Sequence, residues 1–271
     1  MLHIRQLAAA EVPLLKDFPP REWQADLPVL FGRHFGQPYF YPIVAELDGT
    51  LVGCANGLLN GNAGWLGNII VLPAAREHGI GTALTQHLVD FFHAKGVAAQ
   101  LLIATPMGEP IYRRLGFETV SSYLFFSRPG AAPAPTSDST VRAMAFGDQE
   151  AVFALDGLVS GEERQRFLAR CLDGGWVHAS PSGAADGYHL PCIGNGLVIA
   201  SNDGAGLALM RWKLSMGARA CVVPEANRVA AEFLRDEGFV EASRAPRMAL
   251  GGADVNWHAE HVYCRGSGFC G

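Results

Sequence analysis

Apolar residues recur along this chain with two different periods, and the switching between them predicts a protein of mixed α/β class. Residues 1–18 read as a short strand followed by a helix. Residues 21–35 read as a helix carrying Trp23, Leu27, Leu30 and Phe31 on one face. Tyr41–Leu47 and Leu51–Leu59 are apolar runs joined by Asp48-Gly49, a hairpin signal because both residues tolerate positive φ. A third run, Gly64–Leu72, follows the turn-like Asn60-Gly61-Asn62. The next helix runs from about Gly79 to Lys95 with Leu84, Leu88, Phe91 and Phe92 on one face, and Gly96 supplies its left-handed cap. Ala99–Ala104 then reads as a buried strand, Glu109–Leu115 as a short helix and Thr119–Ser127 as a strand.

Residues 129–138, PGAAPAPTSD, contain nothing that can pack a core and read as a linker. Regularity resumes near Val141, and the second half echoes the first. Gly79-x-Gly81 has a counterpart in Gly204-x-Gly206, and Gly116-Phe117 in Gly238-Phe239, in the same order and at nearly equal separation. Each glycine pair precedes an apolar helix, and each Gly-Phe ends a helix and opens a strand. This predicts a duplicated unit, with domains at 1–128 and 139–271.

Composition narrows the classes of function. A chain of 271 residues, 49% hydrophobic and 17% charged, has material for two cores. Its net charge of −5 offers no broad attraction to nucleic acid or to an anionic membrane surface, so neither is an expected partner. The N-terminal residues show no basic stretch followed by a long apolar run, and the six cysteines form no C-x-x-C pair. The expectation is a cytoplasmic protein with reduced thiols and no metal. His258-Ala-Glu260-His261 lacks the helical spacing of H-E-x-x-H.

The most informative segment runs from Ile69 to Leu84, where a strand leads through Arg76-x-x-Gly79-x-Gly81 straight into a helix. Glycines there let main-chain N–H groups turn toward one centre, and a helix N-terminus adds partial positive charge. Together they can cradle phosphate, with the Thr82 hydroxyl as a further donor. The dinucleotide pattern would need glycine at Leu84, and no Gly-Lys-Thr/Ser follows.

This segment resembles the acyl-CoA loop of the GNAT superfamily of N-acetyltransferases, Arg/Gln-x-x-Gly-x-Gly/Ala at a strand-to-helix junction. The family's next signature is similar to Leu101–Ala104 followed by Pro110, Ile111, Tyr112, Gly116 and Phe117. The resemblance covers about residues 1–128 and implies a mostly antiparallel mixed sheet flanked by helices, with acetyl-CoA as acyl donor. It implies that the coenzyme pyrophosphate sits on the amides of His78, Gly79, Ile80, Gly81 and Thr82, beside Arg76. The pantetheine arm would pair with the backbone of Ile70, Val71 and Leu72. Tyr112 matches the tyrosine that hydrogen-bonds the coenzyme sulfur and can protonate the leaving thiolate; as a plain structural residue it would pack its helix on the sheet.

The sequence departs from the family where many relatives place a glutamate, since Trp65–Val71 has no carboxylate. A lysine-like amine is only ~0.1% neutral at pH 7, so some group must take its proton. Glu46, His34 and water held near Asn68 are the candidates. Residues 31–41 hold aromatics and Arg33 that would shape an acceptor pocket or simply pack the core.

Residues 139–271 resemble a divergent second copy. Ser201 stands where Arg76 stands in the first, Leu234 where Tyr112 stands, and Asp203 reads as a helix N-cap. That half is expected not to acetylate, and Val255–Gly271 to be a tail folded back on the body. The overall expectation is an N-acetyltransferase for a primary amine of a small molecule or peptide. The alternative is a non-catalytic acyl-CoA sensor. The oligomeric state stays open, a homodimer included.

Overall fold

The computed structural model describes residues 1–23, 25–129, 139–251 and 256–270, so most of the expected linker lies outside the described residues. The chain divides into two compact units. The first comprises Met1–Thr119, Met248–Ala253 and Gly268–Cys270; the second comprises Val120–Arg247, Asp254–Ser267 and Gly271.

The first unit opens with β1 (Leu2–Gln6), a 3-10 helix over Ala9–Asp17, and α1 (Leu27–His34). The helix expected over 21–35 is shorter because Asp26 caps it, accepting from the Val29 N–H at 3.0 Å, and Pro28 lies in its first turn. Trp23 stands outside it, on a 3-10 turn, and is exposed, while Leu27 and Phe31 are fully buried. Next come β2 (Phe40–Leu47), β3 (Thr50–Asn60) and β4 (Ala63–Val71) as an antiparallel meander. Asp48 and Gly49 both have positive φ, as the two-residue hairpin requires.

α2 (Ile80–Ala94) crosses back over the sheet, followed by β5 (Ala99–Ile103), α3 (Glu109–Arg114) and β6 (Glu118–Ser127). Leu84, Leu88 and Phe92 of α2 bury against Ile43, Ala45, Ala55, Leu66 and Leu102. Gly57 and Gly64 make the close approach possible: a Cβ on either would stand 2.8–2.9 Å from the Phe92 ring. β1 to β5 lie in that spatial order, with β4 and β5 parallel.

The second unit contains β7 (Val141–Ala143), α4 (Gln149–Ser160), α5 (Gln165–Leu168), β8 (Trp176–Ala179), β9 (Ala185–Leu190) and β10 (Leu197–Ala200). Then follow α6 (Asp203–Ser215), β11 (Ala220–Pro224), α7 (Arg228–Asp236), β12 (Val240–Gly251) and β13 (Val262–Cys264). One sheet has the order β13-β10-β9-β8-β7. Its core is sealed by a buried ion pair in which Arg164 donates to Asp156, which also accepts from the Tyr188 hydroxyl.

The units do not follow the halves of the chain. β6, expected to close the first domain, runs from Val120 onward in the second unit and pairs antiparallel with β11, Leu124 opposite Val223. In return, the end of β12 belongs to the first unit, where a Cβ on Gly251 would stand 2.5 Å from the carbonyl oxygen of Ala98, just before β5. Each unit is thus completed by a strand from the other half of the sequence.

Candidate active site

β4 and β5 pair only over Ala63–Ala99, Gly64–Gln100 and Trp65–Leu101. Beyond Trp65, β4 is paired with β3 alone among the described residues, which leave its other edge open. A register shift between Cys54 and Asn56 puts an extra residue into β4, where Asn68 takes φ 50°. Such a bulge re-aims the backbone around it.

Leu72 donates its N–H to the Val52 carbonyl at 2.9 Å, while Val71 lies opposite Gly53. That arrangement makes Val71 a wide pair, so its own N–H and carbonyl face the open edge. Its carbonyl accepts from Arg76 Nε at 3.1 Å. Arg76 is therefore tied to the strand it follows, Leu72 is committed to β3, and Ile70 is buried.

The turn into α2 is built by two left-handed residues, Glu77 (φ 67°) and the N-cap Gly79 (φ 74°). The first i→i−4 bond of α2 runs from the Ala83 N–H to the Gly79 carbonyl. The amides of Ile80, Gly81 and Thr82 therefore precede the first helical donor, Ala83, and the N-cap Gly79 has no side chain to cap them. Gly79 is exposed, Gly81 and Thr82 are half-buried, and the Ile80 side chain is buried beneath them. His78 is exposed, with its Nδ1 2.7 Å from the Arg76 carbonyl oxygen. This row of donors, exposed at Gly79 and half-buried at Gly81 and Thr82, beside an open strand edge could hold a diphosphate with an extended arm.

Tyr112, on α3, is 7% exposed and meets Phe117 edge-on at 6.2 Å. Its hydroxyl is close to Gly108, where a Cβ would stand 2.8 Å from the oxygen. Burial pushes the phenol up to about 12. α3 and α2 converge on Gly81, where a Cβ would lie 3.4 Å from Ile111 and 3.8 Å from Val71. Val71, Arg76, Gly79, Ile80, Gly81 and Thr82 thus surround one short stretch, and Ile111, the neighbour of Tyr112, touches it.

The base candidates fare differently. Glu46 accepts from Arg5 at 2.9 Å. His34 is buried, with its Nδ1 3.1 Å from the Tyr39 hydroxyl. Asn68 stands at the bulge and donates to Asn56 Oδ1 at 2.7 Å.

The corresponding place in the second unit is filled by the chain itself. A Cβ on Gly206 would lie 2.2–2.4 Å from the Tyr263 ring, and the Tyr263 hydroxyl donates to Asp203 at 2.5 Å. Asp203 is thus not the helix cap: Asn202 caps α6, accepting from the Ala205 N–H at 3.0 Å. β13 lies beside β10, and the Arg265 N–H donates to the Val222 carbonyl of β11 at 2.7 Å. In the second unit the tail segment thus bridges β10 and β11, whereas in the first unit no strand among the described residues lies between β4 and β5 beyond Trp65. Tyr263 carried no expectation, although Gly206 inside a helix signals a close approach there.

Among the described residues no group of three His, Cys, Asp or Glu side chains could hold a metal ion, and no helix is long and apolar enough to cross a membrane. A comparison with curated protein sequences finds no match. Among solved structures, a putative acetyltransferase from Pyrococcus horikoshii is 19% identical with a TM-score of 0.83, covering 100% of this chain and 96% of that one. A GCN5-related N-acetyltransferase from Sphaerobacter thermophilus is 15% identical at TM-score 0.62, covering 98% and 97%. A tandem GNAT protein from the clavulanic acid biosynthesis pathway is 15% identical at TM-score 0.59, covering 94% and 100%. The family model for the acetyltransferase (GNAT) family matches residues 8–117, the segment that carries the bulged strand, the glycine turn and Tyr112. Residues 8–117 thus match the acetyltransferase (GNAT) family, a family of acyl transfer from acyl-CoA, and the whole chain is similar in fold to a tandem GNAT protein.

Proposed function

We propose that the first unit transfers an acetyl group from acetyl-CoA to a primary amine of a small molecule or peptide. The observation that carries this reading is the open edge of β4 leading directly to the first-turn amides of α2, which the N-cap Gly79 leaves uncapped, with α3 packed against Gly81. The amides of Gly79, Ile80, Gly81 and Thr82 would hold the diphosphate, with the helix N-terminus adding favourable charge. Val71 offers its N–H to the pantetheine arm. When bound, the coenzyme supplies an activated thioester.

Tyr112 holds its proton throughout the physiological range, because burial raises the phenol to about 12. It is then a weaker acid than an ordinary thiol, near 8.5. Its role is to donate a hydrogen bond to the leaving sulfur rather than to surrender the proton. Glu46 and His34 are held in other contacts, so the amine proton leaves through water at the Asn68 bulge.

A second reading, binding of acyl-CoA without transfer, draws on the lack of any carboxylate between Trp65 and Val71. Calorimetry with acetyl-CoA, followed by thiol release over a panel of amines, separates the two. Binding with turnover supports the transferase, and binding with no turnover on any amine supports the sensor. Absence of binding overturns both.

A further inference from the structure

The face of β4 turned away from α2 carries a small buried polar site. Gly64 and Leu66 face α2, as does Gly57 on β3, so Gly67 and its cross-strand partner Asn56 lie on the opposite face. Asn56 is fully buried. Its Oδ1 accepts from Asn68, yet its Nδ2 has no hydrogen-bond partner among the described residues. A buried amide donor without an acceptor is costly to keep and uncommon in native cores.

Phe269 lies directly on this spot. A Cβ on Gly67 would stand 2.1 Å from the Phe269 Cβ and 2.8 Å from its Cα, so the tail backbone packs against the strand where only glycine allows it. Phe269 itself is 3% exposed and belongs with Gly268–Cys270 to the first unit. An orphaned donor, a positive-φ bulge and a covering aromatic residue therefore meet where β4 separates from β5, on the face opposite α2.

We propose that Asn56 and Asn68 form an acceptor subsite beneath Phe269, which moves aside to admit an amine bearing a hydrogen-bond-accepting oxygen. This inference rests on the proposed transferase reading for its context. The Asn56 amide donates to the carbonyl or hydroxyl oxygen of that amine. The site thus selects amino amides and amino alcohols over plain alkylamines, because a ligand without the oxygen leaves the buried donor unpaired.

The test uses the full chain with coenzyme A present, and glycinamide, ethanolamine and propylamine as probes. The side-chain amide resonances of Asn56 and Asn68 are followed by NMR, and KM is measured for each amine. Glycinamide and ethanolamine are expected to shift both resonances and propylamine to leave them in place. Phe269→Ala is expected to lower the apparent Kd for glycinamide about tenfold by removing the closed state. Asn56→Ser, a small polar replacement, is expected to abolish the preference over propylamine.

Resonances that none of the amines moves, in either the parent chain or Phe269→Ala, would overturn the proposal. So would an undiminished preference in Asn56→Ser. Acetyl-CoA turnover with silent asparagines sinks this inference alone. Shifted asparagines without acetyl-CoA binding sink the transferase reading and leave the subsite standing.

Discussion

The ring of Tyr263 stands where a side chain on Gly206 would have to go, with its hydroxyl on Asp203 at the start of α6. The later Gly-x-Gly therefore makes room for an aromatic ring of the same chain. The earlier one, at Gly79 and Gly81, opens onto an exposed turn. Calorimetry should give one acetyl-CoA per chain, and a stoichiometry of two would contradict the filling of the second gap.

Tyr112→Phe keeps the ring that packs on Phe117 and removes only the hydroxyl beside Gly108. Turnover is expected to fall by about 10²-fold, in the range of one lost hydrogen-bond donor to developing negative charge, with acetyl-CoA affinity unchanged. Steady-state kinetics beside a binding titration decide this, and an unchanged kcat removes Tyr112 from the chemistry.

Gly81 has space for a β-carbon, since its nearest neighbour would be Ile111 at 3.4 Å. Gly81→Asp should therefore fold while placing a carboxylate among the first-turn amides. Affinity for acetyl-CoA is expected to drop at least about 100-fold, with Tm within a few degrees of the parent. Gly81→Ala serves as the control and should retain most of the affinity.

The Arg5 guanidinium bridges Glu11 and Glu46, and its hydrogen bonds hold the Glu11 carboxyl down to about 2. A depressed carboxyl stabilises the fold above its unfolded value near 4.5, and that stability is lost as pH falls toward 2. The pair is partly solvated, so the loss is about 1 kcal/mol. Urea titrations between pH 5 and 2 should show this slope in the parent and a shallower one in Glu11→Gln.

His189 is buried with neither ring nitrogen hydrogen-bonded to a described residue. Burial, and secondarily the charge of Lys213, lowers its pKa from 6.5 to about 3. The unfolded chain binds the proton first, so stability is full above 6.5 and declines as pH falls from there to 3, by up to ~1.4 kcal/mol per pH unit. His189→Asn should flatten unfolding curves in that window, and an unaltered slope would assign it elsewhere.

Elements governed by local chemistry were legible in the sequence. Asp48-Gly49 dictated a hairpin, Gly79 a helix start, and Gly96, at φ 70°, a helix end. The cradle around Gly79–Thr82 follows from the same local rules. Contacts between residues from about sixty to about two hundred positions apart were not legible, because no periodicity records them. Phe269 over Gly67 and Tyr263 over Gly206 belong to this class, as does the exchange of β6 and β12. The traces they leave are glycines inside a strand and a helix, where a side chain would be the rule. Asp203 was misread for a related reason: its true partner is a tyrosine sixty residues on, while the adjacent Asn202 already caps the helix.

Because β6 from Val120 onward and the end of β12 from Met248 onward each belong to the unit built mainly from the other half of the sequence, a cut within residues 129–138 would yield no fragment holding a whole unit. Two genes made by splitting this one there would have to be expressed together for either product to fold.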